Sequence, residues 1–240
     1  MSAPLAKHWM RLRRSLGRRW REWRLPRGYV RLGSRYGGWW VDSRAIGANP
    51  LLIDCGLGLD ISFPVAFLAR FGGHVIGIDP HPRSVAYCEA LKPPGMEILL
   101  RAFWREPGQS LEFHLPRGAE ALPSGADGIS GSLLASHSYA GGGTIRVSST
   151  SLAEVLAGAG RDECDVLKLD IEGAEYEVLE ALCRSGEIRR SGQVLVEFHH
   201  GWTEHPYSRT VAAIEAMRDC GFELIHTEGR NHIFRRTDLA

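Results

Sequence analysis

The fold of this chain is decided by residues 51–60, which read LLIDCGLGLD. A short apolar run ends at Asp54, and two glycines, Gly56 and Gly58, separate it from a helical pattern over residues 62–71. A buried strand that opens into a glycine turn and then a helix is typical of the first βαβ unit of an α/β sheet. This stretch therefore predicts a parallel sheet that is covered by helices.

The rest of the chain continues the same alternation. Further strands are predicted at residues 75–78, 96–100, 110–114, 144–147, 165–169, 193–198, 222–225 and 232–235. Helices are predicted at residues 83–91, 151–157, 174–183 and 207–220. Such alternation is typical of a doubly wound, mostly parallel α/β sheet with right-handed crossovers. We expect its last two strands to pair as an antiparallel hairpin.

The composition is that of an ordinary globular chain, with 240 residues of which 44% are hydrophobic and 24% are charged. It excludes global disorder, and no apolar run approaches the roughly 18 residues that a membrane-spanning helix needs. Five widely spaced cysteines without a CxxC pair favour buried, reduced thiols over disulfides or a zinc site. Because arginines stand where a signal peptide would be apolar, we expect a cytoplasmic protein.

The charge is distributed unevenly along the chain. Residues 1–35 carry eleven Lys/Arg and one Glu, a net charge of +10, whereas residues 36–240 carry 18 basic and 27 acidic residues, a net charge of −9. We therefore divide the chain into a basic N-terminal arm, residues 1–35, and an acidic body, residues 36–240, after a glycine-containing linker.

The arm has the pattern of an amphipathic helix that ends at Pro26. One stripe of that helix is apolar: Leu5, Trp9, Leu12, Leu16, Trp20 and Trp23. Tryptophan and leucine opposite arginine suit the surface of an anionic membrane, which residues 4–24 would contact from the inner face. Packing of the stripe on the body is the alternative. We expect no nucleic-acid partner, because the acidic body would repel phosphates.

The glycine turn predicts a nucleotide-like ligand at the carboxyl edge of the sheet. Gly56 and Gly58 allow the backbone to approach a ligand closely, and Asp79 closes the second strand, where an acidic group accepts ribose hydroxyls. Asp60 near the following helix would repel a pyrophosphate, whereas Asp54 suits a cationic ligand. These charges favour S-adenosylmethionine over a nicotinamide dinucleotide.

A second group of polar residues follows the strand at 165–169. Alternation along that strand places Lys168 and Asp170 on one face, and Glu172 and Glu175 come directly afterwards. Asp170 should lie at the same edge as Asp54 and Asp79. Several carboxylates so close together need a partner, and Lys168 is the candidate.

These residues carry a resemblance to the FkbM family of S-adenosylmethionine-dependent methyltransferases. Residues 167–175, LKLDIEGAE, are similar to the family signature K-x-D-x-E-G-x-E, and residues 53–58, 79–82 and 149–152 also match. The resemblance spans about residues 50–200 and leaves out the arm. It implies a seven-stranded Rossmann-like methyltransferase sheet, S-adenosylmethionine as cofactor, and O-methylation of a hydroxyl on a small molecule, sugar or lipid-linked substrate.

Methyl transfer to a hydroxyl requires removal of its proton, for which Asp170 is the first candidate. Lys168 and Glu172 lie beside it. Glu197 and His199, on one face at the end of the next strand, are the second candidates, with His200 on the opposite face. A carboxylate and an imidazole here leave room for a divalent metal ion, but the simpler metal-free site is the one we predict.

The glycine- and proline-rich segment 105–143, which includes His137, Ser138 and Tyr139, fits a lid over the acceptor. A slack connection is the alternative. Two other functions remain open: a nicotinamide-dependent dehydrogenase, and a membrane- or polymer-binding protein with a degenerate methyltransferase body.

Overall fold

A computed structural model of the protein describes residues 28–118, 120, 122 and 128–239. The predicted amphipathic helix, and residues 4–24 for which membrane contact is predicted, lie outside these ranges. No helix within the described ranges is long and apolar enough to cross a membrane.

The strands and helices alternate along most of the described chain. The strands are β1 (Tyr29–Leu32), β2 (Trp39–Asp42), β3 (Leu51–Cys55), β4 (His74–Asp79), β5 (Met96–Leu100), β6 (Ala102–Phe103), β7 (Ser110–Pro116), β8 (Ala140–Thr150), β9 (Cys164–Leu169), β10 (Ser191–Glu197), β11 (Phe222–Glu228) and β12 (Asn231–Arg236). The α-helices are α1 (Ser62–Phe71), α2 (Pro82–Leu91), α3 (Leu152–Gly158), α4 (Glu175–Ser185) and α5 (Tyr207–Asp219).

Seven strands form the central sheet, in the order β5-β4-β3-β9-β10-β12-β11. Strand β12 is antiparallel to both of its neighbours, and all other pairings in this sheet are parallel. The predicted mostly parallel, seven-stranded sheet with an antiparallel closing pair is thus confirmed.

Strand β8 differs from the prediction, because it lies outside the central sheet. It pairs with β7 in antiparallel register, from Ser110 opposite Ser148 to His114 opposite Thr144, and it also pairs with β6. The two runs predicted at residues 110–114 and 144–147 therefore satisfy each other's backbone hydrogen bonds in a separate three-stranded sheet.

Successive side chains of the central strands point to opposite faces of the sheet and form two apolar layers, one on each face. On the first face Leu51, Ile53 and Cys55 pack with α3, α4 and α5. On the second face Leu52 packs with α1, α2 and the β1–β2 hairpin. Helices on both faces explain why β3 reads as a continuous apolar run.

The β1–β2 hairpin occupies the region that the sequence predicts to be a linker. Tyr29 pairs with Asp42 and Leu32 with Trp39, so the hairpin turns through the glycines at positions 33, 37 and 38. Trp39 is 2% exposed and packs in the second apolar layer. The linker was predicted wrongly because its glycines form a turn between two short strands, of which β2 is fully buried.

The chain runs outward from the middle of the sheet in both directions. Strand β3 leads to β4 and then β5, whereas its other neighbour, β9, leads to β10. Between β3 and β9 the crossover connections diverge, which leaves a crevice at the carboxyl ends of the strands. The Asp170 amide donates to the Cys55 carbonyl oxygen, at 3.1 Å, so the two turns that follow these strands start side by side.

Candidate active site

A pocket lies at the carboxyl edge of the central sheet, where β3 and β9 end. Six of the predicted site residues line it together: Gly56, Gly58, Asp79, Lys168, Asp170 and Glu172. Among the described residues, the other two predicted residues, Asp54 and His199, are buried next to this pocket and do not line it.

The glycine turn is shaped first by its contact with Asp170. Gly56 has φ +87°, and a Cβ at this position would overlap the Asp170 carbonyl oxygen. Gly58 has φ +57°, but the space around it is open. Glycine is needed at position 56 for close packing of two turns and at position 58 for backbone conformation.

Asp79 holds the glycine turn in place. Its carboxylate accepts hydrogen bonds from the Leu57 amide at 2.9 Å, the Gly58 amide at 3.0 Å, the His81 amide at 2.8 Å and the Ser84 hydroxyl at 2.8 Å. Burial nevertheless raises the pKa of Asp79. Its predicted contact with ribose hydroxyls stays a prediction, since the structure shows these oxygens bonded to the chain's own donors.

Lys168 forms a buried ion pair below the pocket. Its Nζ lies 2.9 Å from Asp54 Oδ1 and 3.7 Å from Asp170 Oδ2, and it donates to the Gly56 carbonyl oxygen at 2.8 Å. Burial opposes the charge, but Asp54 and Asp170 outweigh it and raise the pKa of Lys168 above its usual range. Asp54 therefore balances an internal cation, rather than facing the ligand as the sequence suggests.

The partner of the other carboxylates is His199, which follows β10. Its Nδ1 lies 2.9 Å from Glu175 Oε1, and its Nε2 lies 3.3 Å from Glu172 Oε2 and 3.8 Å from Asp170 Oδ1. Glu175 is fully buried and also accepts from two backbone amides of the turn after β9. Within this acidic group Lys168 therefore pairs with Asp170 alone, whereas His199 is the partner of Glu172 and Glu175.

The pKa values of this cluster are strongly shifted. Burial, and then the charge of Glu197, raise the pKa of Asp170 to about 8. Burial opposes the charge of His199, but Glu175 and Glu172 outweigh it and raise its pKa to about 10. Burial also opposes ionisation of Glu172, whose pKa is nevertheless lowered to about 2, chiefly by His199. The cluster therefore combines a fully ionised glutamate with an aspartate that titrates near neutral pH.

The two remaining candidates at the end of β10 have different surroundings. Glu197 accepts a hydrogen bond from Arg230 at 2.6 Å and has a carboxylate oxygen within 4.8 Å of ligand atoms of Asp170 and His199. His200 lies 3.0 Å from the Thr210 hydroxyl, on α5. Alternation along the strand thus brings Glu197 and His199 to the cluster and turns His200 toward a helix.

Part of the predicted lid, residues 128–139, packs on the turn after β9. The Ser132 hydroxyl donates to the Glu172 carbonyl oxygen at 2.6 Å, and His137 Nε2 lies 3.0 Å from Glu172 Oε2. Glu172 itself has φ +54°, a strained value for a residue with a side chain. The lid segment and the signature turn therefore fix each other's positions.

Several lining residues escape prediction because they come from elements that the sequence pattern misplaces. Trp39 belongs to the hairpin, Phe103 to the short strand β6, and Phe113 to β7. For Trp39, the sequence does contain a signal: the apolar runs on either side of Gly33 and Gly38 fit a hairpin as well as a linker.

Comparisons with known proteins agree with this fold. The model of the Methyltransferase FkbM domain matches residues 46–224. None of the curated proteins matches the chain.

Solved structures resemble the chain at low identity. The fibrillarin pre-rRNA processing protein of Methanococcus jannaschii matches 79% of this chain with 13% identity and a TM-score of 0.42; the match spans 66% of that protein, slightly less than two thirds. A TehB-like SAM-dependent methyltransferase from Corynebacterium glutamicum is 11% identical over 79% of this chain and 82% of its own, with a TM-score of 0.36. M. jannaschii TYW2, solved in complex with AdoMet, is 11% identical over 88% of each chain, with a TM-score of 0.33.

The family match covers more than half of the chain and includes both the glycine turn and the turn that carries Asp170. This chain belongs to the FkbM methyltransferase-domain family, whose members have the fold of S-adenosylmethionine-dependent methyltransferases.

Proposed function

We propose that this protein transfers a methyl group from S-adenosylmethionine to a hydroxyl oxygen of a small-molecule, sugar or lipid-linked acceptor. One observation carries the proposal: the glycine turn and Asp170 line the same pocket. A cofactor on the turn and an acceptor beside Asp170 would therefore share one cavity, as direct transfer between them requires.

The charges around the pocket support a cationic cofactor. Within the described part of the chain, one basic residue lines the pocket, Lys168, and it is paired with Asp54. Four carboxylates also line it: Asp60, Asp79, Asp170 and Glu172. This balance suits the ammonium and sulfonium groups of S-adenosylmethionine and opposes the pyrophosphate of a dinucleotide. The residues present thus fit the cofactor.

The bound cofactor supplies an electrophilic methyl group on a positively charged sulfur. In this proposal Asp170 would accept the hydroxyl proton while the acceptor oxygen receives the methyl group from the cofactor. Its side chain is 27% exposed and so reaches the cavity, unlike the buried Asp54. Trp39 and Phe103 line the same cavity and limit the access of water.

The 128–139 segment supplies the acceptor side of the cavity in this proposal. Ile129, Ser130, Gly131 and Leu133 line the pocket together with Asp170. Loops of this kind determine specificity on a constant scaffold. We infer that the acceptor binds between this segment and the turn after β9.

Isothermal titration with S-adenosylhomocysteine and with NAD tests the cofactor. We expect micromolar binding of the former and none of the latter, and weaker S-adenosylhomocysteine binding by Asp79→Ala, which loses the carboxylate that holds the glycine turn. Binding of NAD alone would indicate a dehydrogenase, and binding of neither would indicate a degenerate body. A mass increase of one methyl group on a component of a metabolite or lipid extract then identifies the acceptor.

A further inference from the structure

Three potential metal ligands meet at the carboxyl ends of the adjacent strands β9 and β10. Asp170, Glu197 and His199 each offer one ligand atom, and these atoms all lie within 4.8 Å of one another. They come from a chain segment after one strand and from the end of the next, so the parallel pairing of the two strands sets their separation.

The imidazole of His199 is oriented as metal-bound histidines are. Glu175 holds Nδ1 at 2.9 Å, and this carboxylate is itself fixed by the amides of Ile171 and Gly173. Metal-bound histidines usually contact a carboxylate or carbonyl through the other ring nitrogen in this way. The arrangement leaves Nε2, on a ring that is 97% buried, directed at Asp170 and Glu172.

The distances within the cluster fit one ion. Two ligand atoms that each lie about 2.1 Å from the same ion are roughly 3.0–4.2 Å apart, depending on the angle between them. His199 Nε2 lies 3.8 Å from Asp170 Oδ1 and 3.3 Å from Glu172 Oε2. The separation between His199 and Asp170 falls in that range. The carboxylate oxygen of Glu197 lies within 4.8 Å of both ligand atoms and would have to move slightly closer to share the ion with them.

The cluster and its surroundings hold more carboxylates than basic side chains. Arg230 donates to one oxygen of Glu197, and Lys168 is shared between Asp54 and Asp170. His199 contacts both Glu172 and Glu175, and His137 lies 3.0 Å from Glu172. A divalent cation would add a further counter-charge to these carboxylates.

We propose that Asp170, Glu197 and His199 bind one divalent cation, at which the acceptor hydroxyl of the proposed reaction is held. One imidazole with two carboxylates is a mixed ligand set that suits a first-row ion such as Mn²⁺. An ion here would bind the hydroxyl oxygen as a Lewis acid and make its proton easier to remove, and Asp170 would then act mainly as a ligand. The role of the ion in catalysis rests on the proposed function, whereas its binding does not.

Mn²⁺ binding by the full chain, after treatment with EDTA and removal of the chelator, tests the site directly. The titration is run at pH 8, and free Mn²⁺ is measured by its electron paramagnetic resonance signal. We expect one equivalent to bind to the wild type. Glu197→Gln should weaken binding by more than about tenfold, because even outer partners of a metal site change affinity by roughly 10–100-fold.

The matched control is Glu180→Gln, the same substitution at an exposed residue of α4 outside the cluster. It should bind Mn²⁺ as the wild type does. Equal weakening by both Glu→Gln variants, or no binding by the wild type, would overturn the proposal.

A spectroscopic measurement on the unaltered protein avoids any doubt about folding of the variants. Electron spin echo modulation from an imidazole nitrogen should appear in the Mn²⁺-bound wild type, and its absence would show that His199 is not a ligand. Neither measurement needs cofactor or acceptor, so a failure to transfer methyl groups leaves these results unchanged. Conversely, methyl transfer by chelator-treated protein that binds no Mn²⁺ would reject the ion and retain the proposed function.

Discussion

Position 56 has no room for a side chain, because two turns of the chain meet there. A Cβ on Gly56 would overlap the Asp170 carbonyl oxygen, and its φ of +87° is unfavourable for other residues. Gly186 provides a matched comparison, since its φ is +78° but nothing lies within 4 Å of an added Cβ.

We therefore expect Gly56→Ala to lower the free energy of unfolding by more than about 3 kcal/mol, and Gly186→Ala by only about 1 kcal/mol. Urea denaturation measures both. Gly56→Ala should also weaken S-adenosylhomocysteine binding, because the glycine turn must move away from Asp170. Similar losses of stability in the two variants would show that backbone strain, and not the contact with Asp170, decides position 56.

Asp170 is the residue on which turnover should depend most. Asp170→Asn keeps the size of the side chain but can neither accept a proton nor bind an ion as a carboxylate does. We expect turnover to fall by roughly 10²–10⁴-fold, the usual contribution of a general base.

The affinity of Asp170→Asn for S-adenosylhomocysteine should stay within about threefold of the wild type, because the glycine turn is held by Asp79. Single-turnover kinetics and calorimetry on the same preparation separate the two effects. Normal turnover would show that the proton leaves by another route.

The β1–β2 hairpin is the element whose attachment depends on one buried charge. Asp42 is fully buried, contacts Arg235 at 2.6 Å and Arg44 at 2.7 Å, and its amide donates to the Gln193 side chain. These bonds tie the hairpin to β10 and β12 of the central sheet. Because Trp39 lines the pocket, this attachment also affects the site.

Asp42→Asn should destabilise the protein by about 3 kcal/mol at pH 7, because it leaves Arg235 without its buried counter-ion. Burial opposes ionisation, but the hydrogen bonds from Arg44 and Arg235 outweigh it, so the pKa of Asp42 is lowered. The stabilisation is therefore complete above the pKa of the unfolded state, about 3.9, and is lost as the pH falls through the lower folded value.

Urea denaturation at pH 7 and near pH 3 measures this dependence. The difference between wild type and Asp42→Asn should shrink at the lower pH. Asp162→Asn, at an exposed position, is the control and should change stability little at either pH. A constant difference for Asp42→Asn would mean that packing, and not charge, holds the hairpin.

Charge separates the whole chain into two parts. Residues 1–35 carry +10 and the remainder −9. We propose that the arm contacts an anionic membrane surface, which would place the methyltransferase body near lipid-linked acceptors.

Deletion of residues 1–27 should abolish sedimentation with anionic liposomes, and the full chain should lose its binding as the salt concentration rises. S-adenosylhomocysteine binding by the truncated chain serves as the control for folding. Unchanged sedimentation after the deletion would remove the membrane proposal.

The central sheet was predictable from local sequence because its signals are periodic. Apolar runs mark β3, β4, β9 and β10, and the position of Asp170 follows from the alternation along β9. The signature in residues 167–175 pointed to the family because its residues are close together in the chain.

Only the tertiary structure decided which of these polar groups are partners. Lys168 pairs with Asp54, His199 with Glu175, and His137 with Glu172, across sequence separations that no local pattern records. Likewise, the pairing of β1 with β2 and of β7 with β8 joins strands outside the central sheet, which the periodicity of the sequence does not predict. A local pattern specifies where strands, turns and helices begin and end. A buried charge is costly unless it is paired, and its partners are residues that only the folded chain brings close to it.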